Sequence, residues 1–283
     1  MNPSLLTHES QSRGPIGIFD SGYGGLTIFR EIAQVLPQYD YIYLGDNARV
    51  PYGVRTYETV YKYTLECVKH LFDMGCRLVI LACNTASAKA LRTIQQRDLP
   101  QLGAHRRVLG VIRPTTEVIG NYSSTGHVGI LATTGTVKSG SYVLEINKLF
   151  PKLKVYQEDC PMWVPLVENN EYHTQGADYF VEKHLSRLLD QSPNIDVVAL
   201  ACTHYPLLLS KIRQYLPGHI QVLTQGEFVT NSLQFYLQHH PELEQQCSKG
   251  GDSRFYTTES TKDFNKKATI FLDRPINSYL LAL

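Results

Sequence analysis

An internal repeat constrains this chain more than any other feature. The segment RLVILACNTASAKALRTI (77–94) returns as DVVALACTHYPLLLSKI (196–212): an apolar strand ending in Ala-Cys, a polar residue pair, then a helix. Upstream, IGIFDSGYGGLTIFREIAQVLP (16–37) is echoed by VGILATTGTVKSGSYVLEINKLFP (128–151). Repeated strand-turn-helix units of this length predict two α/β domains of similar build, with equivalent strand ends facing each other across a cleft. The echo is imperfect, since Asp20 aligns with Ala132, so the halves share fold more than chemistry.

The rest of the chain keeps the same grammar. Short apolar runs (PIGIF, DYIYLG, RLVILA, RVLGVI, HVGILA, KLKVYQ, DVVALA) alternate with amphipathic stretches, the pattern of mostly parallel sheets flanked by helices. In TYETVYKYTLECVKHLFDMG, Val60, Thr64, Cys67, Val68 and Leu71 recur at helical spacing and Gly75 follows as a stop, which makes Cys67 a core residue. VKSGSYVLEINKLF reads as a helix, as do 176–190, 206–216 and 226–239; a polar loop at 248–253 precedes a strand at RFYTT and a final helix. The polar start, 1–13, reads as a loose tail. With a break at Leu99-Pro100, the expected first domain is 14–98 plus 207–283 and the second is 99–206.

Composition excludes several classes of function. Twenty-seven Lys and Arg residues stand against 26 Asp and Glu, with no basic stripe, so nucleic acid is not an expected partner. Neither a signal-peptide pattern nor a stretch of about 18 apolar residues occurs, so no membrane is expected and the expected location is the cytoplasm. The six cysteines show no C-x-x-C spacing and read as free thiols. No H-E-x-x-H or similar spacing points to a metal.

In parallel sheets, ligands bind beyond the carboxyl ends of strands, where helix N-termini present free N–H groups. Polar residues follow several such ends: Asp20-Ser21, Asp46 with Pro51-Tyr52-Gly53, Cys83-Asn84-Thr85, Thr133 with Thr136, and Cys202-Thr203-His204. A cysteine after an apolar strand is more often an inert core residue. Two at equivalent places in a repeat, each escorted by hydroxyl or amide groups suited to a carboxylate, favour chemistry. A helix N-terminus should lower their pKa and make a thiolate available as a base. Asp20 reads equally as a turn former beside Gly22, Gly24 and Gly25 or as a catalytic carboxylate. The D-S-G-x-G-G turn lacks the lysine and spacing of a phosphate cradle. His204 could tune the Cys202 thiol, although an isolated histidine is more often structural. Glu168, in CPMWVPLVENNEY, could be a solvated helix carboxylate. Cys160 reads as a loop residue, and Cys76 and Cys247 as bystanders.

These motifs resemble the glutamate racemase family, within the aspartate/glutamate racemase superfamily. The resemblance runs over about residues 14–275 and rests on IGIFDSGYGGLTIFREI, YLGDNARVPYG, ILACNTASA, CPMWVPLVE and ALACTHYPLLL. It implies two α/β domains around a cleft, with Cys83 and Cys202 as the catalytic acid/base pair. Cys83 would deprotonate D-glutamate and Cys202 L-glutamate, assisted by Asp20 and by Glu168 or His204. Asp20, Ser21, Tyr52, Gly53, Asn84, Thr85, Thr203 and His204 match substrate-holding positions, and Thr133 and Thr136 match a further pair near the substrate. The resemblance also implies no cofactor, a homodimer and a supply of D-glutamate for peptidoglycan synthesis. Three places depart from the family pattern: Ala201 where Gly is usual, Tyr23 where a small residue is common, and VLTQGEFVT (222–230) without the Asp-Ser often found there.

Racemisation without a cofactor needs a proton removed from one face of Cα and another delivered to the opposite face, hence one thiolate and one thiol. The alternatives are a racemase for aspartate or another amino acid, a Cys-His hydrolase using Cys202 with His204, and a binding module that closes on an amino acid without turnover.

Overall fold

In the computed structural model, residues 13–103 and 105–283 are described; all but Arg13 of the expected loose tail lies outside them. Ten strands form two sheets: β1 Ile16–Asp20, β2 Tyr41–Gly45, β3 Leu78–Leu81, β4 Arg107–Gly110, β5 His127–Ala132, β6 Lys154–Asp159, β7 Val197–Ala201, β8 Gln221–Leu223, β9 Ser253–Thr257 and β10 Ser278–Leu280. The first sheet runs β10-β9-β2-β1-β3-β4 and the second β6-β5-β7-β8. Every pairing among these strands is parallel. Strands covered on both faces need continuous apolar runs, which is what β1, β3 and β7 are, buried at every position.

The repeat appears in the topology. The order β2-β1-β3-β4 in one sheet matches β6-β5-β7-β8 in the other, so β1 corresponds to β5 and β3 to β7. The first sheet adds β9 and β10 on the far side of β2.

This correspondence moves the division of the chain. The sheets exchange after Gly110 and again after Leu223, instead of at 98/99 and 206/207. Each strand that follows a cysteine helix, RVLG or QVL, returns parallel beside its own β3 or β7. Leu99-Pro100 is only a punctuation within helix: Pro100 sits in the first turn of Leu99–Leu102, where its missing N–H has no cost. The stretch 134–149 also differs from expectation. It is two helices, Thr134–Ser139 and Ser141–Leu149, hinged at Gly140, whose φ of 64° is left-handed.

Candidate active site

The carboxyl ends of the two sheets meet. Cys83 and Cys202 follow the ends of β3 and β7, both buried and each only 6% exposed. Cys83 is the N-cap of the helix Asn84–Lys89, and its Sγ accepts the Ala86 N–H at 3.4 Å. Ser21 Oγ lies 3.4 Å from the same sulfur. Beside Cys202, Sγ stands 3.9 Å from His204 Nδ1, and His204 Nε2 lies 3.0 Å from Glu168 Oε1. Glu168 ends the helix Trp163–Glu168, which is fixed by Trp163 packing edge-on against Tyr205 at 4.8 Å between centroids.

The remaining expected residues close the interface between the halves. Thr85 Oγ1 is 2.9 Å from Thr133 Oγ1 and 3.4 Å from Thr136 Oγ1, so hydroxyls from both domains form one cluster. Gly53 lies over Thr133: a Cβ at 53 would stand 3.1 Å from Thr133 Cβ. Thr27 Oγ1 donates to the Thr203 carbonyl at 3.0 Å, fixing the turn after β7 against the helix after β1. Between them sits Gly24, where a Cβ would fall 2.3 Å from Thr203 Oγ1 and 2.4 Å from His204 Nδ1. The glycine-rich turn is therefore a close-packing device at the domain interface.

Two expectations change on contact with the structure. Tyr52 is buried and its hydroxyl donates to Asp46, so any ligand contact it makes comes from its backbone. Asp46 also accepts from Arg49 Nε at 2.7 Å and Thr258 Oγ1 at 2.9 Å, a network that supports the turn carrying Gly53. The second change concerns Cys83. Its helix N-terminus was expected to lower the pKa, yet burial and then the Asp20 carboxylate push the thiol up to about 12, outweighing the Ser21 and Ala86 hydrogen bonds. A two-turn helix end supplies one N–H at 3.4 Å, which is too little against full desolvation.

Asp20 ends β1 and accepts the Gly22 N–H at 2.8 Å. Burial raises its pKa, opposed chiefly by His204. For His204, burial disfavours the cation, but the hydrogen bonds to Cys202 and Glu168 prevail and raise its pKa to about 10. Burial would raise Glu168 as well; the hydrogen bond and charge of His204 instead hold it below its ordinary value. The site thus contains a carboxylate-imidazolium pair against Cys202 and a neutral thiol at Cys83. All six cysteines are free, and Cys67, Cys76, Cys160 and Cys247 are buried with thiols raised mainly by burial.

Sequence reading missed Gln225 and Tyr142, which bond the Asn84 side chain. The unusual VLTQGEFVT segment was the available signal for the first. Tyr142 carried none, being an ordinary apolar-face position of its helix.

Two facing α/β domains, each ending an equivalent central strand in a thiol, define the class: the chain matches the Asp/Glu/hydantoin racemase model over residues 17–230. Among curated relatives, the glutamate racemase of Persephonella marina is 36% identical over 269 residues, covering 95% of this chain and 97% of its own. Among solved structures, the glutamate racemase isoform RacE1 of Bacillus anthracis aligns with a TM-score of 0.87 at 32% identity, covering 95% of this chain and 98% of that one. The Francisella tularensis glutamate racemase, solved with D-glutamate, gives 0.85 at 30% identity over 95% and 98%. The chain belongs to the glutamate racemase family.

Proposed function

We propose that this protein interconverts L- and D-glutamate by two-base proton transfer at Cα, with Cys83 and Cys202 on opposite faces. The observation that carries the mechanism is the placement of the two thiols: they cap equivalent strands of facing sheets, near enough that charge on Cys202 raises the pKa of Cys83. The surroundings of the two sulfurs differ in charge. Burial, and then the Asp20 carboxylate, disfavour the Cys83 thiolate and push its pKa up to about 12. His204, a cation up to about pH 10, stands against Cys202. Cys202, with the His204 cation beside it, is the group that removes the proton of L-glutamate, and Cys83, held as a thiol, protonates the opposite face. In the reverse direction the substrate ammonium, borne on the Cα that lies between the sulfurs, offsets the cost of the Cys83 thiolate.

The hydroxyls of Ser21, Thr85, Thr133, Thr136 and Thr203, with the N–H groups opening the cysteine helices, hold the two carboxylates. They stabilise the charge that gathers on the α-carboxylate as the proton leaves. Closure of the halves excludes water. A Cys-His hydrolase would place no demand on two matched thiols spanning both domains; the thiol pair would serve aspartate equally, so the choice of glutamate is supported by the likeness to glutamate racemases over nearly the whole chain. Among the described residues no helix is long and apolar enough to cross a membrane. A cytoplasmic homodimer supplying D-glutamate for peptidoglycan synthesis belongs to the same reading.

The test is incubation with either enantiomer in deuterated water without added cofactor. Deuterium should appear at Cα of the opposite enantiomer, and racemisation should vanish in both Cys83→Ala and Cys202→Ala. Full activity in either variant overturns the two-base mechanism, and turnover of aspartate in preference to glutamate overturns the substrate.

A further inference from the structure

Asn84 directly follows Cys83, and its side chain is held in a closed, buried ring. Asn84 Nδ2 donates to Gln225 Oε1 at 2.6 Å, and Asn84 Oδ1 accepts from the Tyr142 hydroxyl at 2.7 Å. Gln225 Nε2 donates to Tyr142 Oη at 2.9 Å and lies 3.1 Å from the Val111 carbonyl oxygen and 3.2 Å from Thr115 Oγ1. Tyr142 is 0% exposed, and Asn84 and Gln225 are 3% exposed each. The ring spans both halves: Asn84 follows β3, Val111 follows β4, Tyr142 lies in the helix Ser141–Leu149, and Gln225 opens the helix Gln225–His239 after β8. Gln225 also lines a small cavity of about 170 Å³ with Cys202 and Thr203.

The polarity of this ring is forced. A backbone carbonyl can only accept, so Gln225 must turn its NH₂ toward Val111 and its Oε1 toward Asn84. Asn84 must then answer with its NH₂, which leaves its Oδ1 facing Tyr142. The Tyr142 hydroxyl accepts from Gln225 and gives its single proton to Asn84. One carbonyl thus sets every amide orientation in the ring. The second Asn84 Nδ2 hydrogen has no acceptor among the described residues. A carboxylate substrate needs a donor, and a flipped Asn84 would offer it an oxygen.

We propose that Gln225 and Tyr142 are positioning residues for racemisation: they lock the Asn84 amide so that its N–H, and never its oxygen, faces the substrate carboxylate. The proposal rests on the reading of Asn84 as a substrate-holding residue.

The experiment measures kcat and KM in both directions, with thermal midpoints, for Gln225→Met, Tyr142→Phe, the double variant and Asn84→Ala in the full chain. A donor that meets charge growing in the transition state acts on kcat more than on KM. Each single variant should lower kcat by about tenfold or more in both directions with KM changed less than about threefold, the loss expected for one misplaced hydrogen bond to a charged group. Because both substitutions break one ring, the double variant should fall no further than the worse single. Wild-type kcat in both singles overturns the lock. So do losses that multiply in the double variant, or losses that track the folded fraction alone. If Gln225→Met does not fold, Gln225→Glu, which keeps the shape but sets a carboxylate oxygen against Val111, should show the same fall in kcat; wild-type kcat there overturns the lock. Wild-type activity in Asn84→Ala removes the substrate-holding role itself. Impairment there with unaffected Gln225 and Tyr142 variants overturns the lock alone.

Discussion

The Cys83 side and the Cys202 side of the site occupy equivalent places in a repeated fold and differ in what surrounds the sulfur. Around Cys83 stand neutral partners, the Ser21 hydroxyl and the Ala86 N–H, with the Asp20 carboxylate nearby. Around Cys202 stands His204, itself backed by Glu168. The difference teaches that a repeat can supply symmetric positions while a few loop residues assign unequal charge. One thiol is kept protonated, and the other is given a cation.

The sharpest way to break this comparison is to remove the sulfurs. Cys83→Ala and Cys202→Ala should each lower racemisation by at least about a thousandfold, since an acid or base is absent altogether. A chiral assay of each product checks it, and near-normal turnover in one variant would show that the halves are not partners.

Next in size is His204→Asn, which leaves Cys202 without the cation beside it. We expect kcat to fall by about a hundredfold, within the usual range for a positioned acid or base group. The fall should be larger for L-glutamate than for D-glutamate; equal losses would erase the proposed inequality.

Glu168→Gln should act more gently, by about tenfold, and through pH. His204 has its pKa raised from 6.5 to about 10, so its cation and the stability it contributes are fully present below about pH 6.5 and are lost as pH rises through about 10. Removing the Glu168 charge moves that loss to lower pH. A pH profile of kcat whose alkaline limb stays in place would contradict the role given to Glu168.

The smallest effect belongs to Ser21→Ala. It removes one weak contact to the Cys83 sulfur and should reduce D-to-L turnover by about threefold, consistent with a hydrogen bond of about 1 kcal/mol or less. An equal loss in both directions would mean that Ser21 serves the substrate and not the thiol.

Much of the site was legible because repeats of strand, polar pair and helix place side chains at strand ends by geometry alone. Cys83, Cys202, Thr85 and Thr133 were readable in this way. Glu168 was not, because its helix follows a different strand, and only folding brings it within 3.0 Å of His204. The domain limits were misplaced for a related reason. Apolar strands such as RVLG and QVL carry no mark of which sheet they join, and β4 and β8 are assigned by crossover geometry.

The sequence by itself determined the α/β class, the twofold repeat and the paired thiols, since periodicity and motif spacing are local properties. Tertiary structure decided the raised pKa of Cys83, the cation beside Cys202 and the orientation of Asn84. Burial of Cys83, the His204 pair beside Cys202 and the Gln225 ring all depend on groups far apart in the chain, and pKa and amide polarity are set by what surrounds a group in space.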